Sequence, residues 1–406
     1  MVGTQRTGRE GEKSHLLEGI KILDFSIGVS GPFCTRLLAD WGAQVLKIEK
    51  PGGDVSREWD SVVNGMSSGY VWVNRNKESI TLNLKNSRAR EIIYRLVEDA
   101  DVVIENFTPG TVYDLGIDYE TLRKINPRII YCHISGYGQD GPYKDEKAYD
   151  LLMQGESGII LMTGSPDAPA KVPLSICDLT SGMYAALGIT MALYNRAAAP
   201  SGEGQELEVT MFDSMLSLLG YFPHFYWHRG ELPVRVGMKH HLLTPYGPYL
   251  AKDGKYISFA CLSQEHWRRF CNQVIERPDL PGKPEFDNNE KRIANREELE
   301  RVVGEELLKR NRDEWLERLR AVGIPCGRVN DMEEVLNHPQ LVHRGLVRTI
   351  DTLHGRVNEI DNPIRFSGHT SKMHYVPELG EHTAKILAEL GCSDEQIEDL
   401  RAQSVV

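Results

Sequence analysis

Short apolar strands alternate with amphipathic helices along the first half of the chain, and this alternation limits the possible folds more than any other feature. Residues 20–25 have the apolar composition of a buried strand, and residues 43–49 form a second one. Pro32 can occupy the first turn of a helix between them, because its missing N–H would be unbonded there in any case. The unit therefore predicts two parallel strands joined by a helix.

The same pattern recurs further along the chain. Residues 79–84 and 101–105 read as strands, with a helix between them that Asn86 or Ser87 can cap. Residues 129–134 add another strand. These units predict a Rossmann-like, doubly wound α/β lobe over about the first 200 residues. The ligands of such a lobe lie beyond the carboxyl ends of its strands, so we expect the chemistry in the loops there.

The pattern changes near residue 225. Residues 246–251 and 256–261 predict a hairpin, because a Lys-Asp-Gly-Lys turn separates two short apolar runs. Helical patterns follow from Ser263 and from Asn295. This part of the chain therefore predicts a smaller α+β lobe.

The two ends of the chain complete the predicted division. Helical patterns at residues 382–390 and after Ser393 close the chain, and the polar residues 1–15 are expected to be flexible. The division predicted from these patterns is a large α/β lobe of residues 1–225, a small α+β lobe of residues 226–330, and a return segment of residues 331–406 whose helices complete the large lobe.

The composition argues against several partners. A formal net charge of −11 opposes binding to nucleic acid and to anionic membranes. The seven cysteines are far apart, without a CxxC pair, which is unlike a disulfide framework or a zinc site. We expect no membrane span and no export signal, because no apolar run approaches the roughly 18 residues that cross a bilayer. These features predict a cytoplasmic protein that holds no metal.

Residues 136–141 read Gly-Tyr-Gly-Gln-Asp-Gly and formally match the dinucleotide fingerprint GxGxxG. The match is weak, because a true fingerprint opens directly into a helix whose amide dipole binds pyrophosphate. Pro142 and the residues after it read as a loop. We favour a sharp glycine turn, and an NAD-dependent dehydrogenase stays an alternative.

Asp178 precedes a long helix in which Gly182 and Gly188 allow close packing. An aspartate at this position usually serves only as a helix cap, and spacing alone favours that interpretation. The alternative is a nucleophile. In that case the helix dipole and the free amides would lower the pKa of the carboxylate and keep it ionised.

Blocks of sequence along nearly the whole chain, from Leu17 to Leu400, resemble the class III CoA-transferase family, also called the CaiB–BaiF family. The blocks that carry the resemblance include GIKILDFSIGVSGPFCTRLLADWGAQVLKIEKPGGD, NRNKESITLNLK, DVVIENFTPG, INPRIIYCHISGYGQDGPY, CDLTSGMYAALG and LGEHTAKILAELG. The resemblance implies that Asp178 is the nucleophile. It also implies coenzyme A esters as substrates, no prosthetic group, and an interlocked homodimer or a heteromer with a close paralogue.

A coenzyme A site is implied by the same resemblance. The related formyl-CoA transferases carry a lysine where this chain has Ser135, so the phosphate contacts are expected to differ in detail. The residues that match the site are Lys50, Leu82, Lys85, Asn106, Phe107, Ser135 and Tyr149.

The family also includes α-methylacyl-CoA racemases, which pair an aspartate with the histidine of a Gly-His-Asp loop. In this chain the loop reads Ala148-Tyr149-Asp150. One of the two bases is therefore missing, and we favour a transferase while the racemase stays the alternative.

Lys239, His240 and His241 are consecutive in the predicted small lobe. Adjacent histidines are poor ligands for one metal, and pattern alone favours a structural or surface role. The segment resembles the family branch that moves CoA from succinyl-CoA to malate, citramalate or itaconate. As a cationic cluster, the three residues are expected to bind the distal carboxylate of a small dicarboxylic acid, and the resemblance makes malate the leading acceptor.

Overall fold

The computed structural model describes residues 15–406, so the expectation of a flexible segment before His15 lies outside the described residues. The described chain divides into two compact units. The first unit contains residues 15–157, 172–223 and 344–406, and the second contains residues 158–171 and 224–343. The sequence-based boundaries lay at residues 225 and 330, and they assigned residues 158–171 to the large lobe.

The strands are β1 Lys21–Asp24, β2 Gln44–Glu49, β3 Lys77–Thr81, β4 Val102–Glu105, β5 Ile130–Ser135, β6 Glu206–Thr210, β7 Tyr246–Leu250, β8 Tyr256–Ala260, β9 Cys326–Arg328, β10 Val347–Thr352 and β11 Gly355–Ile360.

The α-helices are α1 Ser30–Ala39, α2 Ser68–Asn74, α3 Ser87–Val97, α4 Thr111–Leu115, α5 Tyr119–Ile125, α6 Asp150–Glu156, α7 Ile159–Met162, α8 Ile176–Ala198, α9 Met211–Ser217, α10 Phe222–Arg229, α11 Gln264–Arg269, α12 Asn289–Ala294, α13 Arg296–Leu307, α14 Arg312–Ala321, α15 Met332–Leu336, α16 Pro339–Arg344, α17 Thr383–Glu389 and α18 Asp394–Ala402.

The first unit is built on a six-stranded parallel sheet with the order β3-β2-β1-β4-β5-β6. This order confirms the predicted Rossmann-like lobe, and its topological switch point lies between β1 and β4. The sequence analysis did not predict β6. Its exposed and half-buried residues alternate, as at the edge of a sheet, so it lacks the apolar run that marked the inner strands.

The helices that end the chain belong to the core of the first unit. Ile386 and Leu387 of α17 and Ile397 and Leu400 of α18 share one buried cluster with residues of β1 to β5. The helix predicted after β3 is α3, and the side chain of Asn86 caps it by accepting the N–H of Arg88 at 3.0 Å.

Helix α8 is, by length and composition alone, long and apolar enough to cross a membrane. The expectation that no apolar run reaches that length was therefore wrong. Ala185, Ile189 and Ala192 of this helix are buried in a cluster with Cys34 and Leu38 of α1. The apolar residues on this face follow from packing inside the unit, which is the ordinary reason for such a helix in a globular protein.

The second unit contains the predicted hairpin. Strands β7 and β8 pair antiparallel, and β9 adds a third antiparallel strand beside β8. The predicted helices are present as α11, which the side chain of Ser263 caps, and α13, which begins after Asn295. The core of this unit is aromatic, with Phe259, Trp267 and Phe270 among its fully buried side chains.

Candidate functional site

Asp178 lies in the first turn of α8, but it does not cap the helix. The amide that needs a cap is that of Cys177, and it donates to Oδ1 of Asp150 at 2.8 Å. The other oxygen of Asp150 accepts from Nε2 of Gln154 at 2.6 Å. Gln154 is fully buried and also accepts the N–H of Val172 at 2.8 Å. Because Asp150 serves as the cap, the carboxylate of Asp178 is available for chemistry.

The electrostatic setting of Asp178 differs from the expectation. Burial, followed by the negative charge of Asp150, raises the pKa of Asp178 to about 7. The lower pKa that was expected from the helix dipole and the free amides is therefore wrong. Among residues 15–406 no donor forms a hydrogen bond with this carboxylate, so nothing offsets its desolvation.

The start of α1, just after the loop that follows β1, packs directly against the first turns of α8. A Cβ atom on Gly182 would lie 2.6 Å from the carbonyl oxygen of Ser30, so only glycine permits this approach. The hydroxyl of Ser30 accepts from Nδ2 of Asn106 at 3.2 Å. Asn106 also accepts the N–H of Ile27 at 2.8 Å and donates to the Ile27 carbonyl at 2.8 Å. The end of β4 therefore holds the loop that follows β1, across the switch point of the sheet.

A buried lysine of β2, Lys47, also holds the loop that follows β1. Nζ of Lys47 donates to the carbonyl of Ser26 at 2.9 Å and pairs with Oδ2 of Asp54 at 2.8 Å. The other oxygen of Asp54 accepts the N–H of Gly28 at 3.1 Å. Both partners of the ion pair have fully buried side chains. Removal of either would leave an unpaired buried charge, so this loop is held in one arrangement.

The predicted coenzyme A residues follow the carboxyl ends of neighbouring strands. Lys50 and Lys85 are exposed on the loops after β2 and β3. Asn106 and Phe107 follow β4, and the N–H of Phe107 donates to Oε2 of Glu105 at 2.7 Å. The structure therefore places these four residues at one edge of the sheet, where a doubly wound fold binds its ligands.

Three other predicted residues have environments that narrow their roles. The side chain of Leu82 is fully buried in the core, so only its backbone could face a ligand. The hydroxyl of Ser135 accepts the N–H of Gly138 at 3.0 Å and thereby shapes the glycine turn. Tyr149 is 74% exposed, immediately before α6.

The glycine segment 136–141 turns sharply and does not lead into a helix. Gly138 and Gly141 have φ values of 115° and 86°, and the chain continues as loop until α6 begins at Asp150. A Cβ atom on Gly136 would lie 2.2 Å from the Cβ atom of Ala148. The glycine at this position therefore allows the segment that leads to Asp150 to pass close by. The prediction of a turn without a dinucleotide helix is confirmed.

The second unit contains the three residues that were predicted to bind the acceptor acid. The ammonium group of one of them, Lys239, already has partners within the protein. Nζ of Lys239 contacts Oε2 of Glu300 at 2.8 Å and donates to the carbonyl of Pro248 at 2.8 Å. It also lies 3.0 Å from the ring centroid of Tyr249. The predicted role as a carboxylate ligand does not fit Lys239, because its ammonium group already has these three partners.

His240 and His241 are arranged differently from the lysine. Nδ1 of His240 accepts the N–H of Leu242 at 3.0 Å, so the neutral ring carries its proton on Nε2 and can donate it. Nη2 of Arg296 donates to the carbonyl oxygens of both histidines, at 3.0 and 3.2 Å. Burial, followed by the charge of Arg296, lowers the pKa of His240. Within residues 15–406, no group of three or more His, Cys, Asp or Glu side chains could hold a metal ion.

Comparison with known proteins assigns the family. The model of "CoA-transferase family III" matches residues 17–383, which is most of the chain. The chain belongs to CoA-transferase family III. It is an enzyme of the CoA-transferase type, as the family resemblance of its sequence blocks predicted.

Named relatives of this CoA-transferase act on several acids. It is 36% identical to an acetyl-CoA:oxalate CoA-transferase of Acetobacter aceti, over 93% of this chain and 96% of the relative. It is 34% identical to the human succinyl-CoA:glutarate CoA-transferase, over 96% and 90% of the two chains. It is 30% identical to the beta subunit of a succinyl-CoA–L-malate CoA-transferase of Chloroflexus aurantiacus, over 96% and 98%.

A solved structure has the same fold as this CoA-transferase. The crystal structure of a CAIB/BAIF family protein from Brucella suis superimposes with a TM-score of 0.83 at 35% identity, covering 93% of this chain and all of that one. The fold class predicted from the sequence is thereby confirmed.

Sequence reasoning missed two residues that position Asp178. Asp150 was noted only as the last residue of the tripeptide that replaces Gly-His-Asp, and Gln154 was not noted. A polar pair spaced by four residues, just after a glycine turn, could have indicated a helix start with a buried face. Its contact with the amide of Cys177 spans 27 residues of sequence, however, and no local pattern contains that contact.

Proposed function

We propose that this CoA-transferase moves coenzyme A from succinyl-CoA to a short dicarboxylic acid through covalent intermediates on Asp178. The observation that carries the proposal is the environment of this carboxylate. It is largely buried, it has no hydrogen-bond donor among the described residues, and it lies near a second carboxylate, Asp150. A carboxylate in that environment is destabilised as an anion, and a covalent bond to its oxygen relieves the charge.

The reaction would proceed by exchange at two carbonyl carbons. An oxygen of Asp178 attacks the thioester carbonyl, the C–S bond breaks, and CoA thiolate leaves behind a mixed anhydride. The thiolate then attacks the aspartyl carbonyl, which releases the first acid as its carboxylate and forms an aspartyl-CoA thioester. The acceptor carboxylate repeats these steps in reverse order, and Asp178 is regenerated as a carboxylate. Each step conserves an activated acyl bond, so neither ATP nor a prosthetic group is needed.

The raised pKa of Asp178 suits this chemistry. A carboxylate with a pKa of about 7 is a stronger base and nucleophile than an ordinary aspartate, and near neutral pH about half of it is still ionised. Asp150 contributes to this raised pKa. It also holds the first turn of α8 through the amide of Cys177.

Recognition of the acceptor is assigned to His240 and His241 in this proposal. Nε2–H of His240 can donate to the distal carboxylate of a dicarboxylic acid, and the guanidinium group of Arg296 behind the two residues adds positive potential. Malate, citramalate and itaconate are the first candidates, and the names of the relatives add glutarate and oxalate. Lys50 and Lys85, exposed at the carboxyl edge of the sheet, would bind the phosphates of coenzyme A.

The proposal also includes an oligomer. Met183, Leu187, Met191 and Tyr194 lie on one face of α8 and are between 49% and 76% exposed. An apolar stripe of this length indicates a surface that another chain covers. We assign it to a second copy of this chain or to a close paralogue, and light scattering at micromolar concentration would contradict this assignment by detecting a monomer. We assign the protein to the cytoplasm, since its seven cysteines are unpaired.

An acceptor screen tests the proposed function. Succinyl-CoA is incubated with each dicarboxylic acid, and with butyrate as a monocarboxylate control, and new CoA thioesters are followed by mass spectrometry. Without acceptor, the peptide that contains Asp178 is expected to gain a CoA thioester. Exchange of the α-proton of a 2-methylacyl-CoA in the absence of any acceptor would instead support a racemase.

The double variant His240→Ala/His241→Ala tests the acceptor site. Loss of the charge-assisted hydrogen bond to the distal carboxylate is expected to lower kcat/KM for dicarboxylates by about tenfold or more, while butyrate should be affected much less. Equal loss for all acids would mean that the histidines act elsewhere.

A further inference from the structure

A carboxylate–imidazolium–carboxylate bridge crosses three strands beneath the Asn106–Phe107 turn. Nδ1 of His133 on β5 contacts Oε1 of Glu105 at 2.5 Å. Nε2 of the same ring contacts Oε1 of Glu206 on β6 at 2.9 Å. The imidazole is almost fully buried, with the histidine 4% exposed.

The two contacts favour a doubly protonated ring. A carboxylate that is ionised can only accept hydrogen bonds, so a ring between two such carboxylates donates from both nitrogens. Burial opposes this charge, but the hydrogen bonds and charges of Glu105 and Glu206 outweigh it and raise the pKa of His133. The imidazolium thus balances two carboxylates that would otherwise repel each other inside the sheet.

Other titratable groups near the ring do not change this assignment. The ring of Tyr131, on the same strand, packs in a tilted arrangement with its centroid 4.7 Å from that of His133, and its hydroxyl donates to the carbonyl of Ile117 at 2.9 Å. Tyr119 of α5 packs behind Tyr131 at 6.2 Å. Asp118 accepts the N–H of Thr121 at the start of that helix. Glu105 and Glu206 are the charged groups that bond the ring itself.

Glu105, at one end of the bridge, contacts the Asn106–Phe107 turn of the proposed coenzyme A site. Oε2 of Glu105, the oxygen that His133 does not contact, accepts the N–H of Phe107 at 2.7 Å. Asn106, the residue between them, holds the loop after β1 through both polar groups of Ile27. The orientation of one glutamate therefore links the histidine to two loops at the switch point.

We propose that protonated His133 is a positioning residue for coenzyme A, because it fixes Glu105 and through it the Asn106–Phe107 turn. This inference rests on the proposed function, since it takes that turn as part of the coenzyme A site. Deprotonation of the ring removes a donor from one of the two glutamates. The single remaining N–H is then shared between the two glutamates, so Glu105 is held in only part of the molecules, and the affinity for CoA esters falls as the pH rises.

Two variants and two measurements test the inference. In His133→Gln the amide nitrogen can replace only one of the two ring nitrogens, and the amide oxygen cannot donate to the other glutamate. KM for succinyl-CoA is therefore expected to rise about tenfold with kcat changed less than about twofold. In Glu206→Gln the amide oxygen can still accept from the ring, but the lost charge favours the neutral ring. KM of this variant is expected to equal that of the wild type at pH 6.5 and to begin rising at a lower pH.

Direct binding separates the inference from the proposed function. The affinity of the Asp178→Asn variant for acetyl-CoA is measured by calorimetry between pH 6.5 and 9, alone and combined with each substitution. Absence of any CoA ester binding would overturn both proposals. Only the role of His133 would be overturned if Asp178→Asn bound acetyl-CoA tightly, and with the same pH dependence, alone and in combination with His133→Gln or Glu206→Gln. The same conclusion would follow if His133→Gln lowered kcat and the melting temperature without changing KM.

Discussion

Two aspartates of the first unit, the buried Asp24 and the half-buried Asp178, have opposite surroundings. Asp24, at the end of β1, accepts from the amide and hydroxyl of Ser26, from the hydroxyl of Thr35 at 2.6 Å and from Nζ of Lys77 at 3.0 Å. Burial alone would raise its pKa, but two lysines and two hydroxyl donors outweigh burial and lower it to about 2. Asp178, at the start of α8, has no such donors among the described residues, and its pKa is about 7.

The difference shows how the surroundings of an aspartate decide whether it anchors the fold or stays available for chemistry. The anion of Asp24 is stabilised from every side, so it anchors the end of β1 and is unreactive. The anion of Asp178 is opposed by burial and by Asp150, so a proton or an acyl group stabilises it. In the proposed mechanism, the reactive carboxylate is therefore one that receives no hydrogen bond from the described residues.

Replacement of the reactive aspartate is the strongest test of the comparison. Asp178→Asn is expected to lower kcat for CoA transfer by about 10³-fold or more, because an amide cannot form the anhydride. Affinity for CoA esters should stay within a few-fold of the wild type. The matched control is Asp213→Asn, an exposed aspartate in the first turn of α9. Retained turnover in Asp178→Asn would refute the nucleophile.

Replacement of the anchoring aspartate should act on stability instead. Asp24→Asn breaks a fully buried ion pair with Lys77 and is expected to lower the free energy of unfolding by about 3–5 kcal/mol. Urea denaturation at pH 7.5 measures this, with the exposed Asp351→Asn as control. The wild-type contribution has a defined pH range. Because the folded pKa is depressed to about 2, the stabilisation is present above about pH 4 and disappears as the pH falls towards 2.

A pH profile sharpens the comparison at the reactive site. Transfer requires the ionised form of Asp178, so kcat/KM for succinyl-CoA is expected to rise with pH through a midpoint near 7. Asp150→Asn removes the neighbouring negative charge and should move that midpoint down by about one pH unit. The amide oxygen can still cap Cys177. A midpoint that stays in place would show that Asp150 acts only as a cap.

The smallest expected effect is on the stability of the folded protein, which the raised pKa of Asp178 lowers at high pH. The folded pKa of Asp178 is raised, so the folded state binds this proton more tightly, and stability falls as pH rises from about 4 to about 7. Asp178→Asn removes the penalty. Its melting temperature should exceed that of the wild type by about 1–3 °C at pH 8 and match it at pH 4. A lower melting temperature at pH 8 would contradict the proposed environment of the carboxylate.

Five of the six parallel strands of the first unit, β1 to β5, were predictable because each is a short and largely apolar run. The hairpin β7–β8 and the caps Asn86 and Ser263 were also predictable, since turn residues and caps act through contacts within a few residues. Strand β6 and the short strand β9 were not predicted. Each pairs with a strand distant in sequence, and neither has the continuous apolar pattern of an inner strand.

The candidate site likewise contains residues that the sequence indicated and contacts that it could not indicate. Family blocks in the sequence indicated Asp178 and the residues after the strands, and the fold places Lys50, Lys85, Asn106 and Phe107 at one edge of the sheet because parallel strands end on the same side. The sequence could not indicate that Lys239 is already paired with Glu300, a partner 61 positions away. Long-range ion pairs leave no local pattern.

By itself, the sequence determined most of the parallel sheet and the lobe that contains the candidate site, and it indicated Asp178 as the proposed nucleophile, because these depend on local hydrophobic pattern and on recognisable blocks. Only the tertiary structure decided that Asp150 caps α8, that Asp178 has no hydrogen-bond donor among the described residues, and that its pKa is therefore raised. The physical reason is that a carboxylate's pKa depends on burial and on charges within a few ångströms. Those neighbours come from distant parts of the chain and meet only when it folds.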